Sequence, residues 1–371
     1  MIHISSRDRP LRLAILGVNA ARIWHMTTKE RIIRMAHAQD LVVVDDWTNA
    51  DLIADARYAF DLAWLKYVIG HPGTVLTLQG MPVLAHVRDK KQAGHIVKDK
   101  SLPADLSIIA IESHPSLPNP QLRKREAPFA IEVTAENVRA VERASYVGAY
   151  KGVTDLLTLY LWPEWALALT RGASAIRLTP NMVTAIGLAF CIATTFAFLD
   201  GHYWIGMCTG LIFMVLDTVD GKLARCTITS SRIGNIFDHG IDLIHPPIWW
   251  WAWAMGLEVA GRPMPPDMLD ITLIAIVAAY VAQRLIEGAF IALFGMHIHV
   301  WQPIDSRFRL ITARRNPNML LLFLFLCIGR PDWGLIALAI WSVLSCLFHT
   351  GRLLQAWASA FLGKPVASWL G

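Results

Sequence analysis

Four aspartates lie close together in the C-terminal half of the chain, at or just inside the ends of two strongly apolar segments. They are Asp217, Asp220, Asp238 and Asp242. Charged side chains are costly in hydrocarbon and are usually kept there for function. Acidic groups gathered in one pocket cannot all stay ionised unless cations join them, and carboxylates favour Mg²⁺ or Mn²⁺. These residues therefore predict a divalent metal site that could also accept phosphate oxygens.

The spacing of the aspartates places each pair on one face of a helix. Asp217 and Asp220 are separated by three positions. Asp238 and Asp242 are separated by four, and both spacings are those of neighbours on a helical surface. Small residues continue the same two faces, namely Gly221, Ala224 and Gly234. Because small residues allow helix backbones or a flat ligand to approach closely, we expect two helices to enclose the site.

This pattern resembles the signature of the CDP-alcohol phosphotransferase family, also called CDP-alcohol phosphatidyltransferases. The positions that match, at the family's spacing, are Asp217, Asp220, Gly221, Ala224, Arg225, Gly234, Asp238 and Asp242. Residues 178–184 (LTPNMVT) resemble the segment that leads into the family's first transmembrane helix. The resemblance covers roughly the C-terminal three-fifths of the chain.

The resemblance implies a metal-dependent transferase that releases CMP from a CDP-alcohol. Asp217, Asp220 and Asp238 would hold the metal ions, which we expect to be two Mg²⁺ or Mn²⁺ ions. Asp242 would lie near or on the second ion. It would act as the general base, taking a proton from an acceptor hydroxyl that attacks the β-phosphorus.

Further residues are assigned to substrate binding. By resemblance, room for the cytidine and its phosphates would come from Gly221, Ala224 and Gly234. Arg225 would contact those phosphates. Arg314 and Arg315 belong to a basic group before the fifth apolar segment. They could serve topology and lipid headgroups, or an acceptor phosphate, which arginine binds bidentately.

The expected donor is CDP-diacylglycerol, and the expected acceptor is a polyol phosphate such as inositol phosphate. The acceptor is suggested by the N-terminal part of the chain, which is similar to that of family members that use inositol phosphates. Glycerol phosphate or a neutral alcohol stays open as the acceptor. The alternative of a different class is a membrane transporter with a carboxylate proton relay, although a relay does not require glycine, alanine and arginine at fixed spacing.

Residues 1–147 are predicted to form a cytosolic α/β domain. Short apolar runs alternate with segments of helical periodicity, which favours a mainly parallel sheet. Residues 52–87 resemble the middle of a nucleotidyltransferase-like domain. Residues 17–22 lack the glycine-rich pattern that cradles a triphosphate, so we predict a non-catalytic domain. Asp55 could stand where related enzymes place a metal-binding aspartate, or be an ordinary residue at a strand end.

Residues 148–371 are predicted to form a polytopic helical membrane domain. A mean hydropathy of +0.41 and 15 tryptophans point to a membrane protein. Residues 148–176 are predicted to form an amphipathic juxtamembrane helix. Six transmembrane spans follow, at residues 181–199, 204–222, 235–258, 270–294, 317–330 and 333–354. Tryptophans of the third span are expected to face lipid or the interface, and they are Trp249, Trp250, Trp251 and Trp253.

The distribution of basic residues predicts the orientation. Connections 222–232 and 302–315 are basic, whereas the alternate connections carry little positive charge. The positive-inside rule therefore places both termini and the aspartates on the cytoplasmic side of the cytoplasmic membrane. The first residues have too short an apolar run for a signal peptide, which fits a cytosolic N-terminal domain. A net charge of +5 favours a membrane surface over nucleic acid as a partner, and family resemblance suggests a homodimer.

Overall fold

The N-terminal part of the chain is built on short strands. The computed structural model describes residues 9–99, 101–113 and 116–371. The strands are β1 (Arg12–Leu16), β2 (Arg22–Ile23), β3 (Met26–Thr27), β4 (Val42–Val44), β5 (Leu52–Asp55), β6 (Tyr58–Phe60), β7 (Thr74–Leu78), β8 (Met81–His86), β9 (Ser107–Ala110), β10 (Leu117–Asn119), β11 (Lys124–Glu126) and β12 (Ala130–Glu132). A 6-stranded sheet has the order β4–β1–β5–β8–β7–β9. The predicted α/β character of this part is confirmed.

The sheet is parallel except for β8, which pairs antiparallel with both β5 and β7. A tight turn at Gln79 and Gly80 joins β7 to β8, and these residues have φ values of 51° and 77°. Two positive φ values in a two-residue turn suit the right-handed twist of a hairpin. This hairpin is the departure from the mainly parallel sheet that the sequence predicts.

Helices flank the strands of this part. They are α1 (Thr28–His37), α2 (Leu62–Gly70), α3 (Lys90–Gly94) and α4 (Val138–Gly148). α1 begins at a capping box formed by Thr27 and Glu30. Its apolar side chains, including Ile32 and Met35, pack in the core of the α/β domain. Tyr146 of α4 belongs instead to the core of the helical part, so the two parts share apolar packing.

The rest of the chain is helical. Its helices are α5 (Pro163–Ala175), α6 (Pro180–Leu199), α7 (Tyr203–Cys226), α8 (Arg232–Val259), α9 (Pro266–Phe294), α10 (Pro303–Arg309), α11 (Arg315–Cys327) and α12 (Pro331–Phe361). The prediction of one helix over residues 148–176 is wrong, because a π-helical turn over Leu157–Leu161 precedes α5. Pro163 has no N–H to donate and is favoured in a first helical turn, so α5 begins there.

Among the residues that the structure describes, four helices are long and apolar enough to cross a membrane, namely α6, α7, α9 and α12. α8 has 28 residues and contains Pro246 and Pro247. α11 has 13 residues, or ~20 Å of helix, which is short of a ~30 Å hydrocarbon core. The predicted spans overlap helices, although the fifth, 317–330, extends past the end of α11, and the crossing of all six stays a prediction.

α6, α7 and α8 pack around large aromatic side chains. Trp249, Trp250 and Trp253 are buried within the protein, whereas Trp251 is 47% exposed. The expectation that these tryptophans face lipid is therefore wrong for three of them. The indole N–H of Trp249 donates to the carbonyl of Cys191 on α6 at 3.2 Å. A large ring whose N–H has a partner stabilises a core, and here it holds α8, which carries Asp238 and Asp242, against α6.

Candidate active site

Three of the predicted carboxylates converge between α7 and α8. Asp217 lies on α7, and Asp238 and Asp242 lie one turn apart on α8. One carboxylate oxygen from each of the three lies within 4.8 Å of the others. Such a set of hard oxygen donors fits a shared divalent cation. The arrangement can therefore hold a metal ion at the junction of the two helices.

Asp220 also contacts α6. Its carboxylate accepts a hydrogen bond from the hydroxyl of Thr184 on α6 at 2.6 Å, and another from the backbone N–H of Gly221. The side chain of Asp220 is buried. Its role as a metal ligand stays a prediction. Thr184 is a partner that the spacing on α7 and α8 could not indicate, because it depends on how α6 packs.

Arg315 links the two aspartate-bearing helices electrostatically. Its guanidinium nitrogens lie 2.7 Å from Asp217 Oδ2 and 2.7 Å from Asp242 Oδ1. The guanidinium also lies over the Phe213 ring, 4.9 Å from its centroid. Charge-assisted pairs of this kind offset the repulsion between neighbouring carboxylates. One of the two arginines predicted to bind substrate is therefore placed at the carboxylate group.

Arg314 belongs to a neighbouring charge cluster. It pairs with Glu287, which also contacts Arg284 at 2.9 Å and His299 Nε2 at 3.2 Å. Arg284 and Glu287 are three positions apart on α9, so their pairing follows from helical spacing. Because two guanidinium groups share one carboxylate, the cluster keeps positive charge.

Gly221 and Gly234 allow close packing around the site. A Cβ at Gly221 would lie 3.3 Å from both terminal nitrogens of Arg225. A Cβ at Gly234 would lie 2.8 Å from Asn181 Oδ1. Arg225 also donates from Nε to the carbonyl of Ala149 at 2.9 Å. The glycines therefore determine where Arg225 and the beginning of α8 can lie.

Two cations outside the aspartate pattern act on the site. Burial and the positive charge of Arg314 lower the pKa of Arg123 to about 10. Burial and the charges of Arg123 and Arg225 lower the pKa of Lys151 to about 8. The carboxylate of Asp238 acts in the opposite direction on Lys151. Arg123 lies in a polar segment without a recognisable motif, so the sequence does not indicate a role for it. Lys151 lies where the sequence predicts only an amphipathic juxtamembrane helix.

Asp55, in the α/β domain, is engaged by Arg57. Its carboxylate accepts hydrogen bonds from the backbone N–H of Arg57 at 2.8 Å and from the guanidinium at 2.9 and 2.7 Å. A Cβ at Gly17 would lie 3.4 Å from Asp55 Oδ1, which leaves little further space on that side. The carboxylate considered as a metal ligand therefore has an intramolecular partner.

The fold and the carboxylate group define a helical membrane protein with a candidate divalent-metal site between two helices. The family model for CDP-alcohol phosphatidyltransferase matches residues 177–354. This part of the chain belongs to that family, and the prediction made from the aspartate pattern is confirmed.

Curated relatives align with part of the chain. Cholinephosphotransferase 1 from Homo sapiens is 30% identical over 142 residues, covering 35% of this chain and 32% of that protein. Cholinephosphotransferase 1 from Mus musculus is 37% identical over 141 residues, covering 35% of this chain and 33% of that protein. The chain thus spans about a third of the length of the curated relatives it matches.

Solved structures show a more distant likeness. Phosphatidylinositol phosphate synthase from Mycobacterium tuberculosis with CDP-DAG bound is 18% identical, with a TM-score of 0.41, and the match covers 51% of this chain and 92% of that chain. The same protein in complex with manganese and citrate is 18% identical, with a TM-score of 0.41, covering 51% and 88%.

Proposed function

We propose that the chain is a divalent-metal-dependent CDP-alcohol phosphotransferase, which transfers a phospho-alcohol group to a hydroxyl acceptor and releases CMP. The observation that carries the proposal is the carboxylate group of Asp217, Asp238 and Asp242, with oxygens within 4.8 Å of one another. The match to the CDP-alcohol phosphatidyltransferase family supports the reaction class.

The charged side chains of the site have complementary roles in this reaction. The proposed ligands of two Mg²⁺ or Mn²⁺ ions are Asp217, Asp220, Asp238 and Asp242. Bound ions would supply positive charge that stabilises negative charge on phosphate oxygens. Arg225, which lies over Gly221, would bind the nucleotide phosphates. Arg315 would add a further cation beside the reacting phosphate.

Asp242 is the proposed general base. Its side chain is 44% exposed, against 17% for Asp217 and 31% for Asp238, so an acceptor can reach it most easily. An oxygen of Asp242 takes the proton of the acceptor hydroxyl. The acceptor oxygen forms a bond to the β-phosphorus of the CDP-alcohol, the bond between that phosphorus and the bridging oxygen breaks, and CMP leaves.

We also propose a phosphorylated polyol as the acceptor. Arg309 is 7% exposed, and its Nε and Nη1 have no hydrogen-bond partner within the described part of the chain. Burial and the charges of Arg314 and Arg123 lower the pKa of Arg309, although Asp155 opposes this. Because buried guanidinium nitrogens are costly to leave unpaired, an anionic group of the substrate is the expected partner.

CDP-diacylglycerol is the proposed donor. The names of the curated relatives favour a second candidate, a soluble CDP-alcohol such as CDP-choline. The two donors differ in whether the transferred group is lipid or water-soluble, so the acceptor would differ as well.

The domain organisation completes the proposal. Residues 1–147 would be a non-catalytic domain on the cytoplasmic side, which the pairing of Asp55 with Arg57 supports. Residues 148–371 would form the membrane domain, and the protein would act as a homodimer in the cytoplasmic membrane.

Metal-dependent CMP release by the purified full-length protein tests the reaction. CDP-diacylglycerol and CDP-choline are each supplied with inositol, inositol phosphate, glycerol phosphate or diacylglycerol, in Mg²⁺, Mn²⁺ or EDTA. The expected result is CMP release that requires metal and is fastest with CDP-diacylglycerol and inositol phosphate. If the folded protein releases CMP with none of the donor and acceptor pairs, the proposed transferase activity is contradicted and the transporter alternative is favoured. Pyrophosphate release from CTP would contradict a non-catalytic N-terminal domain.

A further inference from the structure

The C-terminal end of α7 is bound by the α/β domain. Arg31 Nη1 donates to the carbonyl of Cys226 at 3.0 Å, and Arg34 Nη1 donates to the carbonyl of Thr227 at 2.8 Å. The two arginines are three positions apart on α1 and therefore share a face. Carbonyls at a helix C-terminus have no N–H partner within the helix, and the helix dipole favours a cation there. The pair therefore caps the helix that carries Asp217 and Asp220.

Arg31 is an unusual residue to bury at this junction. Its side chain is 5% exposed, and its Nε has no hydrogen-bond partner among the residues described. A guanidinium is rarely buried unless a contact offsets the loss of hydration. The carbonyl of Cys226, at the end of α7, accepts a hydrogen bond from Arg31. The position of Arg31 therefore depends on the position of that helix end.

α7 contacts the domain in return through two of its own cations. Arg225 donates from Nε to the carbonyl of Ala149, directly after α4. Lys222 is 2% exposed, and its Nζ lies 5.1 Å from the ring centroid of Tyr146 and 2.7 Å from that of Tyr150. The Lys222 side chain is therefore packed against Tyr146 of α4 and Tyr150, which follows α4. The last two turns of α7 are therefore held from more than one side.

The loop between α7 and α8 is anchored as well. Ile228 has φ 54°, a conformation that a β-branched residue adopts only when its surroundings enforce it. Its side chain packs against the core of the α/β domain, which includes Leu13 and Ile32. Since this loop joins the two aspartate-bearing helices, its anchoring restricts how they can move relative to each other.

We infer that the α/β domain positions the carboxylates of the membrane site, with Arg31 and Arg34 as positioning residues. Asp220 precedes Cys226 by six residues, or ~9 Å of helix, so it lies within the last two turns that these contacts hold. The carboxylates of α7 and α8 must also keep their separation to share an ion. The inference rests on the proposed metal site, and it gives the domain a function that does not need a free Asp55.

Mn²⁺ binding to the purified full-length protein, without substrate, tests the inference, with free Mn²⁺ measured by electron paramagnetic resonance. The double variant Arg31→Gln/Arg34→Gln is expected to bind Mn²⁺ about tenfold more weakly, the effect usual for residues that orient ligands. The variant Arg31→Lys/Arg34→Lys keeps both cations and is expected to recover part of the affinity. Lys29→Gln, at an exposed position of α1, is the matched control and is expected to bind like wild type.

Size-exclusion chromatography and Tm separate positioning from folding. A role in stability alone lowers Tm but leaves the Mn²⁺ affinity of the folded variant unchanged, and that result overturns the inference. If the double variant does not fold, Arg34→Gln, at a half-buried position, takes its place with the same expected direction. A wild-type protein that binds no Mn²⁺ contradicts the proposed function together with this inference, whereas wild-type binding with unchanged variant affinity contradicts this inference alone.

Discussion

Asp242 is the most exposed of the three converging carboxylates, and it is paired with Arg315. It contacts Arg315 at 2.7 Å while its side chain stays 44% exposed. Asp242→Asn keeps the shape of the side chain but removes the basic oxygen. We expect turnover to fall by about 10²–10⁴-fold, the usual contribution of a general base, with Tm close to wild type. Turnover is measured by CMP release, and Tm by thermal unfolding. Near wild-type turnover would show that another group takes the proton.

Lys151 should make substrate binding depend on pH. Burial and the charges of Arg123 and Arg225 lower its pKa to about 8, against the opposing charges of Asp238 and Asp217. The ammonium is therefore present below pH 8 and lost above it. Because its charge would attract the phosphates of a CDP-alcohol, we expect KM for that substrate to rise about tenfold between pH 7 and pH 9, the range over which most of the side chains lose their proton.

The matched variant for this prediction is Lys151→Arg, because arginine keeps its charge across the range. Initial rates of CMP release at pH 7, 8 and 9 are compared for both proteins. A flat KM in Lys151→Arg with a rising KM in wild type is the expected outcome. The same rise in both proteins would assign the pH dependence to another group, and the expected attraction between Lys151 and the phosphates would be wrong.

At the scale of a single helix, Gly221 of α7 is a position where helix stability favours alanine and substrate binding is expected to favour glycine. Alanine in a helix interior is favoured over glycine by about 0.5–1 kcal/mol. A Cβ at Gly221, however, would lie 3.3 Å from both terminal nitrogens of Arg225, so the guanidinium must shift. We expect Gly221→Ala to keep or raise Tm while it raises KM for the CDP-alcohol. Tm and steady-state CMP release check both directions.

Gly240→Ala, on α8, is the control for Gly221→Ala. A Cβ at Gly240 would have no heavy atom within 4 Å, counting neighbours in the described part of the chain. Gly240→Ala is therefore expected to leave KM unchanged while gaining the same helical preference. If both variants raise KM equally, the effect comes from general helix rigidity, and the interpretation of Gly221 as the space for Arg225 fails.

For the whole molecule, local pattern and tertiary packing determine different features. The placement of Asp238 and Asp242 on one face of α8 could be expected from sequence, because helical spacing is a local property. Their approach to Asp217 on α7 depends on how the two helices pack. The ion pairs of Arg315 and the proximity of Arg123 to Arg314 could not be predicted from the sequence, since each joins segments far apart in the chain. The burial of three tryptophans of α8 could not be predicted for a related reason. A helix that is apolar all round does not reveal which face meets lipid and which meets protein.

The packing of the helical part places two connections side by side. A Cβ at Gly201, between α6 and α7, would lie 3.0 Å from the backbone nitrogen of Ala260, at the end of α8. The opposite ends of α7 and α8 lie against the α/β domain through Cys226 and Ile228. The two connections therefore lie at the end of these helices away from that domain, as antiparallel neighbours require.

If the α/β domain is cytosolic, these connections must be accessible from the other side of the membrane. Asp200→Cys and Arg262→Cys, both at exposed positions, are compared with Lys29→Cys on α1, after the exposed native Cys208 and Cys327 are changed to serine. An impermeant maleimide added to intact spheroplasts is expected to label the first two variants and not the third, and lysis should expose all three. Labelling of Lys29→Cys in intact cells would indicate the opposite orientation. The basic connections would then lie outside, against the positive-inside rule.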